Sequence, residues 1–145
     1  MKEELGKDLI TAMKEKDKNT LNTLRAVKGA VQLEVINNKK EDNNELYEEV
    51  VNKQIKLRKD SIKEFEKGNR TDLIESYQKE INILEKYMPK QLTDDELNNI
   101  INDVFEKVKP ESIKDFGNIM KEITPLVKNK CDMGKLNILI KEKLN

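Results

Sequence analysis

The chain has 145 residues, of which 39% are charged, and its 28 basic and 28 acidic residues give a formal net charge of zero. This balance excludes a global attraction to nucleic acid or to an anionic membrane. The hydrophobic content of 36% is too low for one thick core, so we expect thin helical layers in which each helix buries one stripe.

Apolar residues recur at helical spacing along the whole chain, which predicts an all-α fold with seven helices. In chain order we expect helices at about 2–16, 18–36, 45–67 and 72–87, then from 93 to about 108, from 112 onward, and from 132 to about 144. Thr93–Glu96 has the form of a capping box, and Ser112 and Asp132 are predicted caps for the last two helices.

The third and fourth predicted helices should form a long antiparallel hairpin. Gly68 and Asn69 are typical of a helix end, so the third helix should stop there and the fourth should begin just after it. Pro89 should end this two-helix unit. We therefore predict an N-terminal helical domain, residues 1–92, built around this hairpin. A small C-terminal three-helix domain, residues 93–145, follows it.

Arg58 falls on the apolar face of the third predicted helix, where a charge needs a partner. Antiparallel pairing about the turn places Arg58 level with Glu80 or Ile81. We therefore predict a structural ion pair between Arg58 and Glu80 that fixes the register of the hairpin. The alternative is an arginine directed at a phosphate.

The neutral total charge conceals two basic zones. Residues 53–70 carry seven basic against three acidic residues, and residues 121–145 carry six lysines against three acids. The segment between them, residues 93–115, carries seven acids against three lysines. Zones of this size can guide an RNA backbone with modest, salt-dependent affinity. The first zone holds a ladder of lysines on one helix face, which is either an anion-binding surface or an ordinary solvated face: Lys56, Lys59, Lys63 and Lys67.

No residue pattern identifies a catalytic centre. The chain has no histidine, which excludes Ser–His and Cys–His nucleophile pairs and metal sites of the His/Cys type. The lone Cys131 is interpreted as a small packed residue, because an active thiol would need a neighbouring cation or helix start to lower its pKa. Asp94, Asp95 and Glu96 are better explained by the start of a helix than by a cation site. We expect no catalytic residue, no metal and no cofactor.

Cellular location and partner classes are constrained by the N-terminus and the apolar runs. The first residues include acids and no uninterrupted apolar stretch, unlike a secretory signal, and no apolar run approaches bilayer length. One cysteine allows no internal disulfide. We therefore expect a cytoplasmic protein with neither a membrane nor DNA as a partner.

Four segments resemble the YqeY proteins, in the order found in that family, and together they cover nearly the whole chain. They are TLR at 23–25, KLRKDSIKEFEKGNRTDL at 56–73, EINILEKYMPKQLTDDEL at 80–97 and SIKDFGNIMKEITPLVKNKCDMGKL at 112–136. Asn129 and Met133 stand where the family usually has glycines, and Phe116 stands where methionine is usual. Asparagine tolerates a left-handed backbone better than most residues, and methionine does not.

The YqeY proteins are free-standing relatives of the tail domain of GatB, the tRNA-binding subunit of the glutamine-dependent aspartyl/glutamyl-tRNA amidotransferase. The resemblance implies the two-domain helical fold and an association with carbon–nitrogen ligation that uses glutamine as amide donor. In the larger relative, ATP-using chemistry lies in another domain and glutamine hydrolysis in a separate subunit. The expected function is therefore a tRNA-binding accessory module without a catalytic centre of its own.

Two alternatives stay open. One is a helical protein–protein interaction module with no direct RNA role, and the other is a catalyst of amide transfer. If tRNA is bound, the resemblance places the contacts in the C-terminal domain, and the ladder on the third helix is the second choice because Asp60 and Glu64 can pair with it. The C-terminal candidates are Lys114, Lys121, Lys128, Lys130 and Lys135.

Overall fold

The computed structural model describes the whole chain, Met1–Asn145, and it is helical throughout. It has seven α-helices and no β-strand, which confirms the all-α prediction. The helices are α1 (Lys2–Glu15), α2 (Lys18–Asn38), α3 (Asn44–Lys67), α4 (Thr71–Glu85), α5 (Asp94–Val108), α6 (Phe116–Val127) and α7 (Met133–Leu144), with one 3-10 turn at Ile113–Asp115 before α6. None of these helices combines the length and the apolar character that a membrane span requires.

The helices form two compact units, which we call the N-terminal unit (Met1–Met88) and the C-terminal unit (Pro89–Asn145). The domain boundary predicted from the sequence lay after Leu92, four residues further along the chain than the boundary in the structure. In the structure, the backbone N–H of Leu92 donates to the carbonyl of Lys130 at 2.8 Å. This bond ties the start of the C-terminal unit to the loop between α6 and α7.

Side chains cap several helix starts as their sequence predicts. Thr93 accepts from the backbone N–H of Glu96 at 3.1 Å while the Glu96 carboxylate accepts from the N–H of Thr93 at 3.4 Å, which completes a capping box. Asp132 accepts from the N–H of Gly134 at 2.9 Å and starts α7. Ser112 caps the 3-10 turn rather than α6 itself. Thr71 lies inside α4 and does not cap it.

The core of the N-terminal unit lies where α2 packs against the other three helices. Leu5 of α1, Leu24 and Val27 of α2, Val51 of α3 and Leu84 of α4 are all fully buried there. Helices α3 and α4 form the long hairpin that the turn at residues 68–70 predicts.

A polar contact ties the region just after α4 to α1. The hydroxyl of Tyr87, which is only 8% exposed, donates to the carboxylate of Asp8, 79 residues earlier in the chain. Burial, and then the hydrogen bond to the negative carboxylate, raise the pKa of Tyr87 well above its ordinary value. The hydroxyl therefore stays protonated and keeps donating across the physiological range.

The C-terminal unit is a small three-helix domain in which α6 packs against both α5 and α7. Its core is aliphatic, which suits the narrow apolar stripe of each helix. The fully buried residues of α6 and α7 are Ile119, Ile123, Val127, Leu136 and Ile140.

Candidate nucleic-acid interface

The turn between α6 and α7, residues 128–132, bears on two of the three departures from the family pattern. Asn129 is 9% exposed and has φ 62°, the left-handed conformation that glycine and asparagine adopt at least cost. Met133 is the first residue of α7 and has no positive φ, and its half-buried side chain packs against the apolar core. Position 129 therefore requires a residue that tolerates the left-handed conformation, and asparagine does so. Methionine at position 133 causes no backbone strain.

A short segment at the start of the C-terminal unit, residues 89–92, holds this turn; we call it the strap. The side-chain amide of Gln91 donates to the carbonyl of Asn129 at 2.9 Å and to that of Pro89 at 3.1 Å. Leu92 donates to the carbonyl of Lys130 at 2.8 Å. Sequence reasoning missed this contact, because polar residues 38 positions apart give no periodic signal.

The structure separates the five candidate lysines of the C-terminal region into three groups. Lys114, Lys121 and Lys130 are exposed and make no ion pair. Lys128 is half-buried. The Nζ atom of Lys135 lies 2.5 Å from Oδ1 of Asp94, and this hydrogen bond and the carboxylate charge raise the pKa of Lys135.

Three further lysines of the C-terminal unit are also engaged locally. The Nζ atom of Lys141 lies 5.2 Å from the centre of the Phe116 ring, and that of Lys143 lies 5.1 Å from the centre of the Phe105 ring. Lys107 pairs with Glu122 at 2.9 Å. The net positive charge counted from the sequence therefore overstates the number of cations available to a partner.

The lysine ladder on α3 is divided in the same way. Lys59 pairs with Glu85 at 3.8 Å, and Lys67 pairs with Glu64 at 3.3 Å. Lys56 and Lys63 are exposed and have no acidic partner. Two of the four ladder positions are therefore available to an anion.

Arg58 is engaged entirely within the hairpin. Its Nε atom lies 3.3 Å from Oε2 of Glu80, and its Nη1 atom donates to the carbonyl and side-chain oxygens of Gln54 at 3.1 and 2.6 Å. The side chains of Arg58 and Glu80 are 14% and 24% exposed. The structure brings together the two residues that the register predicted, and the guanidinium donates to oxygen atoms of Glu80 and Gln54 within the hairpin.

Cys131 lies in the α6–α7 turn and lacks the surroundings of a nucleophile. Burial raises the pKa of its thiol, the charge of Asp132 acts in the same direction, and Lys135 opposes them. Its Sγ atom lies 3.9 Å from the carbonyl of Val127, as a weak donor within the turn. The thiol is therefore held in its protonated, unreactive form near neutral pH.

Comparison with known protein families decides the classification of this chain. The model of the Yqey-like protein family matches residues 2–144, which is nearly the whole chain. The chain belongs to the YqeY family. The family assignment made from the four segments is thereby confirmed.

Three fungal relatives of this YqeY protein share one name, "Altered inheritance of mitochondria protein 41, mitochondrial". The protein of Pyrenophora tritici-repentis is 31% identical over 88% of this chain and 71% of its own length. Those of Kluyveromyces lactis and Lachancea thermotolerans are 44% and 38% identical over 57% and 58% of this chain. The matched segment spans 45% and 46% of the length of these last two relatives.

These names correct one expectation. We expected a cytoplasmic protein, whereas all three relatives are named as mitochondrial, so the cytoplasmic expectation is wrong. It rested on the composition of the N-terminus and on a single cysteine. A low cysteine count does not distinguish the cytoplasm from other reducing interiors.

Proposed function

We propose that the chain is a tRNA-binding accessory module that contacts the RNA backbone through its C-terminal unit. The observation that carries the proposal is the set of exposed, unpaired lysines Lys114, Lys121 and Lys130, in a unit where Lys107, Lys135, Lys141 and Lys143 are all engaged locally. This unit is also the part that the resemblance equates with the tRNA-contacting tail of GatB.

The charge distribution within the C-terminal unit limits which face can meet a phosphate. Asp95, Asp103 and Glu106 on α5 are exposed and unpaired, and they repel an anionic backbone. The three proposed contact lysines lie elsewhere, on the 3-10 turn, on α6 and in the α6–α7 turn, whereas the exposed Lys109 directly follows α5. We therefore assign the RNA-facing surface to α6 and the residues that flank it.

Contacts of this kind recognise the shape and charge of RNA rather than its sequence. Lysine is a flexible point charge, and phosphate contacts carry little sequence information. Affinity should fall steeply with salt, and discrimination among tRNAs should be weak. The module would hold tRNA for a separate carbon–nitrogen ligase that uses glutamine as amide donor, and no catalytic role is assigned to this chain.

The test is a tRNA titration at several salt concentrations with Lys114, Lys121 and Lys130 changed together to alanine. The logarithmic salt slope should decrease by about three, one unit for each lost phosphate contact. The matched control changes Lys7, Lys14 and Lys79, three exposed lysines of the N-terminal unit, and should leave the slope unchanged. A slope that falls equally in both triple variants would mean that total charge, rather than a defined surface, attracts the RNA.

The ladder on α3 is tested in parallel by changing Lys56 and Lys63 to alanine. An effect there, together with no effect of the C-terminal changes, would move the interface to the N-terminal unit. If the wild type binds no tRNA even at low salt, the RNA proposal fails as a whole.

A protein-interaction module is the second candidate, because several large aliphatic side chains of α1 and α2 are exposed. Their exposed fractions are 53% for Ile10, 50% for Met13, 59% for Leu33 and 73% for Ile36. Single exposed apolar residues are common on soluble proteins. These four therefore favour a protein-interaction module only if they contribute jointly to one binding surface. Changing Leu33 and Ile36 to serine should then abolish partner binding in pull-down experiments while leaving the melting temperature unchanged.

A further inference from the structure

The backbone of Lys130 is fixed on both sides while its side chain remains free. Its N–H donates to the carbonyl of Val127 at 2.9 Å, and its carbonyl accepts from the N–H of Leu92 at 2.8 Å. The side chain is exposed and has no ion-pair partner. Both hydrogen-bonding groups of the Lys130 main chain are thus satisfied, as they are for a residue inside a helix, although Lys130 lies in a turn.

Gln91 supplies the only side chain of the strap that reaches the turn through a hydrogen bond. Its amide nitrogen bridges the carbonyls of Asn129 and Pro89, at 2.9 and 3.1 Å. The amide therefore links the strap to the residue immediately before Lys130. Because Asn129 has the left-handed conformation, its carbonyl direction is set by the turn and meets Gln91 directly.

We propose that Gln91 is a positioning residue, which holds the α6–α7 turn so that Lys130 is presented to an RNA phosphate in one backbone conformation. This inference rests on the proposed RNA-binding function. A lysine on a mobile loop must lose backbone freedom when it binds a phosphate, and a lysine on a fixed turn loses only side-chain freedom. The strap thus lowers the entropic cost of that contact without touching RNA.

The expected effect of Gln91→Ala is a loss of affinity without a change in salt slope. A net hydrogen bond of about 0.5–1.5 kcal/mol corresponds to a loss of roughly 2- to 12-fold, and the exposed position of Gln91 favours the lower part of this range. Lys130→Ala should instead lower the salt slope by about one. Gln91→Met, which keeps the length of the side chain but has no N–H donor, should behave like Gln91→Ala.

The deciding measurement is a double-mutant cycle with tRNA binding as the readout. If Gln91 acts through Lys130, Gln91→Ala should cause no further loss in the Lys130→Ala background. A merely structural role would lower affinity equally in both backgrounds, and that result overturns the proposal. Gln78→Ala serves as the matched control, because Gln78 is an exposed glutamine whose amide contacts only Asn82 on the same helix.

The remaining outcomes separate this inference from the function on which it rests. If Lys130→Ala changes neither affinity nor slope, or the wild type binds no tRNA, Lys130 has no RNA role and the positioning of Gln91 falls with it. If Lys130→Ala weakens binding and Gln91→Ala does not, the RNA surface stands and the positioning role alone is wrong. Hydrogen exchange at the amide of Leu92 tests the strap itself, because Gln91→Ala should accelerate it if the side chain holds the turn.

Discussion

The turn between α3 and α4 and the turn between α6 and α7 use the same backbone conformation in opposite surroundings. Asn69 has φ 53° and Asn129 has φ 62°, so each hairpin reverses through a left-handed asparagine. Asn69 is exposed, and its turn is closed by local bonds such as that from the N–H of Arg70 to the carbonyl of Phe65 at 3.0 Å. Asn129 is buried, and its carbonyl accepts from Gln91.

The difference follows from how each hairpin fixes its register. Helices α3 and α4 have 24 and 15 residues, and the Arg58–Glu80 pair sets their register far from the turn. Helices α6 and α7 have 12 residues each and meet through aliphatic contacts, which are not directional. A long hairpin can therefore leave its turn to solvent, whereas a short one gains from a turn that is held by a distant segment.

The largest effect should come from removing the register pair of the long hairpin. Arg58→Ala should lower the free energy of unfolding by about 2–3 kcal/mol, less than the 3–5 kcal/mol of a fully buried pair, because both side chains are partly exposed. Urea denaturation followed by circular dichroism measures this change. Arg70→Ala, which breaks only an exposed pair with Asp72, is the control. Equal effects of the two changes would show that the position of the pair is unimportant.

The second-largest effect on stability should come from changing the turn of the short hairpin, formed by α6 and α7. Asn129→Ala places a residue with a Cβ atom and no side-chain amide in the left-handed region, and it should cost about 1–2 kcal/mol. Asn129→Gly should restore most of that stability, since glycine adopts this conformation freely. Thermal unfolding of the three proteins makes the test, and a glycine variant as unstable as the alanine variant would show that the backbone conformation is not the cause.

The same change in the long hairpin should be milder. Asn69→Ala should cost about 1 kcal/mol or less, because the turn is exposed and can relax. Affinity for tRNA should be unchanged in this variant, whereas Asn129→Ala, which alters the turn that carries Lys130, should lower it. If Asn69→Ala were the more destabilising of the two, burial of the α6–α7 turn would not be what makes its backbone conformation important for stability.

The smallest effect should come from the exposed ladder of α3. Lys67 pairs with Glu64 at 3.3 Å, and both side chains are more than 70% exposed. Lys67→Ala should therefore change the free energy of unfolding by less than about 0.5 kcal/mol. A larger loss in urea denaturation would mean that this pair, like Arg58–Glu80, helps to fix the hairpin.

Local signals in the sequence were sufficient for the helices and for one long-range pair. The apolar period and the caps at Thr93 and Asp132 placed the helix ends to within a few residues, because these signals act over one or two turns. Arg58 and Glu80 could be paired in advance, since a single short turn relates the two helices that carry them.

The candidate surface was harder to predict, because it depends on contacts that span far more than one or two helical turns. The pairing of Lys135 with Asp94 and the contact of Gln91 with Asn129 join residues 41 and 38 positions apart, across several helices. No periodicity relates such residues, so counting charges could not show which lysines remain free. The glycine usual at position 129 was an indirect sign of the left-handed turn, but it gave no indication of the strap.

Cys131 gives the molecule a built-in reporter of this turn. It is the only cysteine in the chain, it lies two residues after Asn129, and burial raises the pKa of its thiol. A thiol-specific reagent should therefore react slowly with the closed turn and faster whenever the turn opens. The rate of that single chemical modification can follow the opening of the α6–α7 turn in the unaltered protein, with no engineered label.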